Sequence, residues 1–523
     1  MHRKWWTLFA VSVATFMLLL DITVVNTALP SIRDDLGASF TDLQWVIDAY
    51  TLSLAALVLT AGVLADRLGR RRVFAAGLAI FTVASLAAGL APDPTFLNIT
   101  RAIQGIGGAV MFAVSLALVA QEFAPGRDRG TAMGVYGATI GIAVATGPLV
   151  GGALTDWLGW ESIFFLNVPI GIAAIAVTYA KLRETRDPNA SSIDWGGLVT
   201  FSTSLFLLVL ALLRGNDEGW GSTLIVSLLA AAGVLMAVFL TIETRIKEPM
   251  LPLHLFRNRT FTGVQLAAAG VSASMFALFL YLTFYLQGFL GLSPLEAGLR
   301  YLPLTMTNFF IAGLAGAVIT KVPARVMLAI GLSMTGGALL LMGGLAPTDE
   351  WTALLPGFLI AGAGIGLINP VIADVAVSVV PKEQSGMASG INDTFRQVGI
   401  AIGIAAWGAL FLGRGADKVT ELTAGTPAAT GDRPRELVES VSSGNLDAAL
   451  ANVPAGSRES VATAAREGFL AGMNEILMLG GILALAGALA AFWLVRERDI
   501  QRSEPIEDEL PYLGEAVPEP VSA

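Results

Sequence analysis

Five ionisable residues lie inside stretches of the sequence that are otherwise apolar. Asp21, Asp48 and Arg101 occur in the N-terminal part, whereas Asp393 and Arg396 are three positions apart and so share one face of a helix. A charge in an apolar segment is costly and usually faces a partner, a cavity or a pathway. An acid beside an arginine is a candidate proton site, because the arginine favours the charged acid and burial favours the neutral one. The alternative for each is a fixed salt bridge that orders the helices.

Other reactive chemistry is limited by residue types that are missing or rare. The chain has no cysteine, which excludes a disulfide framework, a thiolate metal site and a cysteine nucleophile. Its two histidines, His2 and His254, are too few for a histidine-rich metal cluster. The sequence has no GxxxxGKS/T loop for a nucleotide-driven pump, and no HExxH or nucleophile-elbow motif for an enzyme. We therefore expect neither a metal nor an enzyme, although paired acids at a membrane face leave the enzyme alternative open.

The residues around these charges are apolar over long stretches. Of the 523 residues, 54% are hydrophobic and 14% are charged, whereas about a quarter are charged in water-soluble domains. A membrane-spanning helix needs about 20 mostly apolar residues. Fourteen spans are predicted, near 5–29, 43–65, 73–91, 95–121, 130–154, 160–180, 194–213, 222–242, 261–287, 298–319, 325–346, 351–380, 384–411 and 468–495.

The distribution of basic residues predicts the orientation of these helices. Most lysines and arginines lie at the two termini and in the loops on one side, and the other side has few, with Arg33 and Arg214 as exceptions. Both termini are therefore predicted to be cytoplasmic, which an even number of spans requires. The first span follows Arg3 and Lys4 as a signal peptide would, but it is long and contains Asp21, so we expect it to remain as a membrane helix.

With this orientation, three of the charged residues lie at a similar depth. Asp21, Asp48 and Arg101 are each within about 12 Å of the outer surface at a rise of about 1.5 Å per residue. We therefore expect them to meet in one cluster, with the alternative that Asp48 lies at the water interface.

Two further segments are predicted to lie outside the membrane. The first part of 412–466 is rich in Gly, Thr, Pro and charged residues, so we expect a flexible extracytoplasmic loop that becomes helical at Arg458–Gly468. A surface loop without its own function is the simpler interpretation of this stretch. The acidic tail 501–523 is predicted to be disordered.

Aromatic residues cluster on the ninth span. Aromatic side chains often line pockets for flat apolar compounds, but they also face lipid or neighbouring helices. The candidate cavity residues on this and other spans are Asn26, Gln104, Phe276, Tyr281, Tyr285, Asp393 and Arg396.

A loop rich in glycine and arginine joins the second and third spans. It reads GVLADRLGRRR from Gly62 to Arg72. The glycines permit a tight turn and a close approach of helices, and Asp66 can cap a helix or pair with the arginines. This loop resembles the signature loop of the major facilitator superfamily. The resemblance implies a gating role for Gly62, Asp66, Arg67, Gly69, Arg70 and Arg71.

Three further motifs stand along the chain in the order typical of that family. LDITVVNTALP at 20–30 resembles the fourteen-helix drug:proton antiporter branch, the EmrB/QacA-like proteins. LNITRAIQGIGGA at 97–109 is similar to the family's helix 4 motif, whose arginine, here Arg101, is implicated in proton coupling. GIAVATGPLVGGAL at 141–154 resembles the antiporter motif of helix 5, which is associated with export and also suits close helix packing. Its residues are Gly141, Gly147, Pro148, Gly151 and Gly152.

The chain also departs from the family pattern. WESIFFLN at 160–167 replaces WRWIFxxN, so Glu161 and Ser162 stand where arginine and tryptophan are usual. The corresponding loop of the second half, at 320–325, lacks the acidic residue, so we expect the full gate in the first half alone. Asp48 stands where relatives more often have an uncharged residue.

The resemblance implies an all-α integral membrane protein with two six-helix bundles and two inserted helices. The expected divisions are a first bundle at 1–185, inserted helices at 186–245, a second bundle at 246–500 and the tail 501–523. It implies a proton-coupled efflux antiporter for small amphipathic compounds, some of them cationic, with Asp21, Arg101 and Asp48 in proton coupling. A dedicated exporter of an endogenous lipid, siderophore or antibiotic is the alternative.

The same resemblance sets the expected partners and location. Small-molecule substrates, protons and the lipid bilayer are the expected partners, without nucleic acid or nucleotide. The proton gradient is the expected energy source, and no cofactor is expected. The expected location is the bacterial plasma membrane.

Overall fold

The computed structural model describes residues 3–124, 126–186, 193–246, 249–319, 321–451 and 453–500. Within its helices, the side chains at positions 40, 41, 144, 145 and 148 are not described. In the described ranges the chain forms helices, turns and loops, without a strand. His2 and the tail 501–523 lie outside these ranges.

Fourteen long helices dominate the described ranges. Twelve are long and apolar enough to cross a membrane, and the two parts of α10, bent by 42°, together make a thirteenth. The other is α5, whose 32 residues extend about 48 Å at about 1.5 Å per residue. The predicted all-α membrane fold is thereby confirmed. The bounds are α1 Arg3–Leu36, α2 Phe40–Leu68, α3 Arg70–Ala88, α4 Pro94–Glu122, α5 Arg127–Leu158, α6 Ser162–Lys181, α7 Trp195–Glu218, α8 Thr223–Glu243, α9 Arg259–Phe289, α10 Pro294–Arg300 with Leu302–Val318, α11 Ala324–Met342, α12 Leu355–Ser378, α13 Ser385–Leu422 and α14 Arg458–Leu494.

The helix ends follow from local sequence. Ser39 and Asp42 form a capping box at the start of α2, and Ser293 and Glu296 form another at the start of α10. α2 ends at Gly69, whose φ of 112° favours glycine. This conformation makes the turn between α2 and α3 tight enough to position the arginines that follow.

The long helices pack as two halves, α1–α6 and α9–α14. In the first half α4 packs against α2 and α3, and α5 packs against α1. In the second half α12 packs against α10 and α11, and α14 packs against α11 and α13. The halves meet where α2 contacts α13 and where α5 contacts α10. We call the end of the bundle with the α2–α3 turn the gate end, after the role expected for that loop, and the opposite end the far end.

The inserted helix α7 contacts both halves. It packs against α8, α2 and α13. The hydroxyls of Thr60 on α2 and Ser202 on α7 lie 2.8 Å apart. On the other side, Asn216 Nδ2 donates to the carbonyl oxygen of Ala405 on α13 at 3.0 Å. α7 therefore bridges the seam between α2 and α13, and α8 lies outside it.

The segment that follows α13 is ordered, so the expectation of a flexible loop is wrong. α13 continues to Leu422, and the chain then forms short helices at Arg433–Ser442 and Leu446–Leu450. Leu437, Val438 and Val441 are buried in the core of the second half. These apolar residues recur three to four positions apart in a polar stretch. This amphipathic pattern packs one face of the segment against the second half, so the segment forms a cap on the far end.

Two glycine contacts bring the halves together at the gate end. A Cβ atom on Gly62 of α2 would lie 2.2 Å from the carbonyl oxygen of Gly386 on α13. A Cβ atom on Gly130 of α5 would lie 2.2 Å from the carbonyl oxygen of Gly316 on α10. Both distances are shorter than a van der Waals contact, so only glycine permits these backbones to approach so closely.

Gly62→Ala is expected to destabilise the closed gate end by about 1–3 kcal/mol, the usual range for overpacking. Gly233→Ala is the matched control, because nothing lies within 4 Å of the added carbon there. Thermal unfolding of the purified variants is the measurement. The midpoint falls for Gly62→Ala and holds for Gly233→Ala, and equal midpoints for the two would contradict the close packing.

Candidate functional site

A cavity of about 570 Å³ lies between the two halves. The first half contributes mainly aliphatic side chains, among them Leu18 and Ile22 of α1 and Leu116 of α4. The second half contributes aromatic, amide and charged side chains. Of the predicted cavity residues, the structure places four at the wall: Asn26, Phe276, Asp393 and Arg396.

The aromatic wall is one face of α9, and it differs from the predicted set. Phe276, Phe279 and Phe284 line the cavity, because Phe279 and Phe284 follow Phe276 by three and eight positions and residues at these spacings share a helix face. The placement of Tyr281 and Tyr285 in the cavity was wrong, since these positions lie on the opposite face. They donate instead to the carbonyl oxygens of Ile404 at 2.8 Å and Asp349 at 3.3 Å.

Two π-helical turns interrupt α9 beside this wall. They cover Ser272–Phe276 and Phe284–Phe289, so each contains a phenylalanine of the cavity. Such turns occur frequently at functional sites. Tyr301 of α10 also lines the cavity, and its hydroxyl lies 3.1 Å from that of Thr283. This tyrosine was not predicted, because the bend of α10 that brings it to the wall is not evident from the apolar pattern.

Asp21 and Arg101 form a buried ion pair beside the cavity. Arg101 Nη1 lies 2.5 Å from Asp21 Oδ2, and both side chains are at most 2% exposed. Asp21 Oδ1 accepts from Gln104 Nε2 at 2.8 Å and from Asn167 Nδ2 at 2.9 Å. The guanidinium carbon of Arg101 lies 4.3 Å from the ring centre of Tyr50. Every strong partner of the carboxylate is thus supplied by α4 and α6.

Neither member of this pair lines the cavity. Leu18, Ile22 and Asn26 form the cavity face of α1, and Asp21 projects from the other face because each residue turns the helix by about 100°. The prediction that Gln104 lines the cavity is wrong for the same reason, since it is bound to Asp21. Asn167 was missed, although it is the final asparagine of WESIFFLN.

Asp48 is separate from this cluster, so the prediction of one three-residue cluster is wrong. Arg101 Nε donates to the carbonyl oxygen of Val46 at 2.9 Å, and Asp48, two residues later on α2, points to another face. It pairs with Arg214 Nη2 of α7 at 3.5 Å. The Arg214 guanidinium also lies over Trp45, 4.9 Å from its ring centre. The ion pair with Asp48 explains why Arg214 lies at the far end, where basic residues are few.

The gate end is closed by Asp66. Its carboxylate accepts from the backbone N–H groups of Gly386 at 3.0 Å and Met387 at 2.8 Å, in the first turn of α13. It also accepts from Arg70 Nε at 2.9 Å. Arg70 Nη2 donates in turn to the carbonyl oxygen of Glu383 at 2.7 Å. The signature loop of the first half therefore holds the start of α13 directly.

The other residues of this loop lie nearby at the gate end. Arg71 N–H donates to Glu184 Oε1 at 3.1 Å, and the conformation of Gly69 leaves room for that carboxylate. Arg67 is partly buried at the same end. The loop thus contacts the chain that follows α6, at Glu184, as well as α13.

A second contact closes the other seam of the gate end. Arg129 Nε on α5 lies 2.9 Å from Asp374 Oδ1 on α12. Arg129 Nη2 also donates to Ser378 Oγ at 3.2 Å. The second-half loop lacks the acidic residue, and this ion pair joins the halves next to the contact of Gly130 with Gly316. The expectation that the first half alone carries the full gate stays a prediction, and the Arg129–Asp374 pair is a further contact outside both loops.

The glycines of the predicted antiporter motif make close contacts on two helices. A Cβ atom on Gly147 or Gly151 would lie 1.8 Å or 2.3 Å from the hydroxyl oxygen of Thr23 or Thr27 on α1. One on Gly141 would lie 2.4 Å from Asn308 Nδ2 on α10. Gly152 has no atom within 4 Å of that position, and the side chain of Pro148 is outside the described part. Because Thr23 and Thr27 line the cavity, the motif sets how close α5 comes to the cavity face of α1.

Asp66→Asn is expected to open the gate end, because it removes the charge that compensates the buried Arg70. Breaking a buried pair costs about 3–5 kcal/mol. A cysteine at the fully buried Ser389 of α13 reports the change, since the chain has no native cysteine. The reaction of this cysteine with a water-soluble maleimide becomes at least about tenfold faster if the closed state is destabilised by about 1.4 kcal/mol relative to the open state.

Asp128→Asn is the control for this measurement. Asp128 is exposed at the same end and pairs with Lys4, so its loss leaves the labelling rate unchanged. A rate that Asp66→Asn does not raise above this control would contradict a gate held by Asp66.

Comparison with known proteins places the chain in a family. The model of the Major Facilitator Superfamily matches residues 11–404. The chain is 32% identical over 504 residues to the tetracenomycin C resistance and export protein of Streptomyces glaucescens, covering 96% of this chain and 93% of that protein. It is 35% identical over 405 residues to the multidrug resistance protein Stp of Mycobacterium tuberculosis, covering 77% and 75%.

The fold also matches a solved structure. The crystal structure of the human organic anion transporter MFSD10 superposes with a TM-score of 0.63 at 15% identity, covering 94% of this chain and all of that one. This likeness concerns the fold, whereas the family model and the relatives concern the sequence. The chain belongs to the major facilitator superfamily.

Proposed function

We propose that this protein is a proton-coupled antiporter that exports small amphipathic compounds by alternating access. The observation that carries the proposal is the buried carboxylate of Asp21, bound by Arg101 on the back of the helix that lines the cavity. Membership of a transporter family favours transport over the enzyme alternative. In this proposal the proton gradient alone supplies the energy, without nucleotide or cofactor.

The sidedness of the proposal comes from charge. The gate end holds most of the basic loops and both ends of the described part of the chain, Arg3 and Ile500, and by the positive-inside rule it is cytoplasmic. The similar resistance proteins come from bacteria, which supports the bacterial plasma membrane as the location. The far end, with its cap at Arg433–Ser442, is then extracytoplasmic.

The proposed cycle begins from the arrangement seen in the structure. With Asp21 ionised and paired, α1 is held against α4 and α6 and the gate end is closed. A proton that enters from the far end neutralises Asp21 and removes its attraction for Arg101. α1 is then free to move relative to α4, the halves rock, and the gate end opens. Substrate that binds from the cytoplasm is carried out after the proton leaves.

The range of substrates follows from the cavity. A roomy site with an aromatic wall and an acid suits many flat amphipathic compounds. The relatives include one protein named for a single antibiotic and one named for multidrug resistance. We favour several substrates because the cavity wall is largely apolar and imposes little shape selection. A dedicated exporter of an endogenous lipid, siderophore or antibiotic is the alternative.

Asp21→Asn is expected to abolish proton coupling, because asparagine keeps the size of the side chain but cannot be ionised. Purified protein is reconstituted in liposomes, and transport of neutral, anionic and cationic fluorescent probes is compared with and without a pH gradient. For the probe that wild type moves fastest, the gradient raises the rate at least about tenfold, equivalent to about 1.4 kcal/mol. In Asp21→Asn the gradient has no effect.

Asp48→Asn is the matched control, because it is an acid near the same depth whose partner is Arg214 rather than Arg101. It keeps the gradient-dependent rate. Elution volume on size exclusion shows that both variants are folded. Gradient-driven transport in folded Asp21→Asn would contradict the assignment of proton coupling to Asp21. Loss of gradient-driven transport in Asp48→Asn alone would contradict it as well.

A further inference from the structure

The cavity has a polar floor, and aromatic rings line the part above it. Asp393 lies eight residues after the start of α13, Tyr136 nine residues after the start of α5, and Asn369 nine residues before the end of α12. At about 1.5 Å per residue, all three are about 12–14 Å from the gate end. Phe279 and Phe284 are nearer the far end of α9. A bound molecule therefore meets polar groups at one end and aromatic rings along its length.

The floor contains one charge of each sign. Among the described residues that line the cavity, Asp393 and Arg396 are the charged ones. The guanidinium of Arg396 is held by two amides: its Nε donates to Asn392 Oδ1 and its Nη1 to Asn369 Oδ1, both at 3.2 Å. Asn392 is itself fixed, since its Nδ2 donates to Gln265 Oε1 at 2.9 Å. The positive charge is thus locked in place beside the acid.

Two polar atoms of this floor have no hydrogen-bond partner. They are Asp393 Oδ2, an acceptor, and Asn369 Nδ2, a donor. Both residues are at least nine-tenths buried and line the cavity. The hydroxyl of Ser389, one turn before Asp393, lies close to the same carboxylate. Buried polar atoms of native proteins almost always have partners, so a vacant acceptor and a vacant donor point to a ligand.

We infer that the floor selects flat compounds whose head group is uncharged and presents both a hydrogen-bond donor and an acceptor, as a carboxamide does. The donor would satisfy Asp393 and the acceptor would satisfy Asn369. A permanent cation is disfavoured by the fixed charge of Arg396, and an anion by Asp393. The inference rests on the proposed function only in taking this cavity as the substrate site. It replaces the expectation of cationic substrates.

Three probes with one fluorescent body isolate the head group. They are pyrene-1-carboxamide, the cation (1-pyrenylmethyl)trimethylammonium and the anion pyrene-1-carboxylate. Binding to the purified full-length protein in detergent is followed by fluorescence anisotropy, which needs neither a membrane nor a gradient. Wild type is expected to bind the carboxamide at least about tenfold more tightly than either ion, since a site built for hydrogen bonds rejects heads that leave them unmade.

Two variants shift this preference in opposite directions. In Arg396→Gln the charge of Asp393 has no opposite charge beside it, so binding of the ammonium probe is favoured. In Asp393→Asn the charge of Arg396 has no opposite charge beside it, so binding of the carboxylate probe is favoured. Arg414→Gln is the matched control on the same helix, because Arg414 is exposed and pairs with Glu475 outside the cavity. It keeps the wild-type order. Size exclusion shows whether each variant is folded.

The outcomes separate this inference from the proposed function. Equal or tighter binding of the ammonium probe by wild type overturns the inference, as does an equal change for all three probes in Arg396→Gln and Asp393→Asn. Gradient-driven export of a cation in preference to the carboxamide overturns the inference and leaves the antiporter in place. The predicted binding order without gradient-driven transport supports the inference and overturns the proposed function.

Discussion

The carboxylate of Asp66 on the first turn of α13 is the contact on which the closed arrangement depends. A helix N-terminus has backbone N–H groups without partners inside the helix, and it attracts a negative charge. Asp66 satisfies two of these groups, and Arg70 neutralises it while binding the carbonyl oxygen just before α13. Because Asp66 belongs to the first half and α13 to the second, the contact joins the two halves at the seam where the backbones of Gly62 and Gly386 also approach closely. Arg129 and Asp374 make the comparable connection at the other seam.

The cavity and the proposed proton site are separate but share one helix. Asp21 faces α4 and α6, and the opposite face of α1 lines the cavity. In the proposed cycle, a change of charge at Asp21 therefore alters the position of α1, and through it the cavity wall and the seam with α5. The glycines of α5 that contact Thr23 and Thr27 make this seam sensitive to small shifts of α1. Coupling by this route needs no direct contact between proton and substrate.

Much of the fold could be predicted from the sequence, because apolar length alone specifies a membrane helix and the signature loop specifies the family. The site was harder to predict. Asp21 and Arg101 were paired correctly from depth, but depth does not give the rotation of a helix, and so Asp48, Gln104, Tyr281 and Tyr285 were placed on the wrong face. Asn167 and Tyr301 were missed because a single amide or phenol carries no spacing signal. The cap at Arg433–Ser442 was mistaken for a flexible loop because its composition is polar and its apolar residues are few. The domain divisions remain predictions.

In the proposed cycle the charge on Asp21 controls the gate end, and one distance measures this directly. Spin labels on Arg72→Cys and Lys321→Cys, exposed positions at the gate end of the two halves, report their separation by pulsed electron paramagnetic resonance. We predict a short distance in alkaline buffer, a shift towards a longer one in acid, and the longer distance at both pH values in Asp21→Asn. A distance that does not respond to pH in the wild type, or that responds equally in Asp21→Asn, would contradict it.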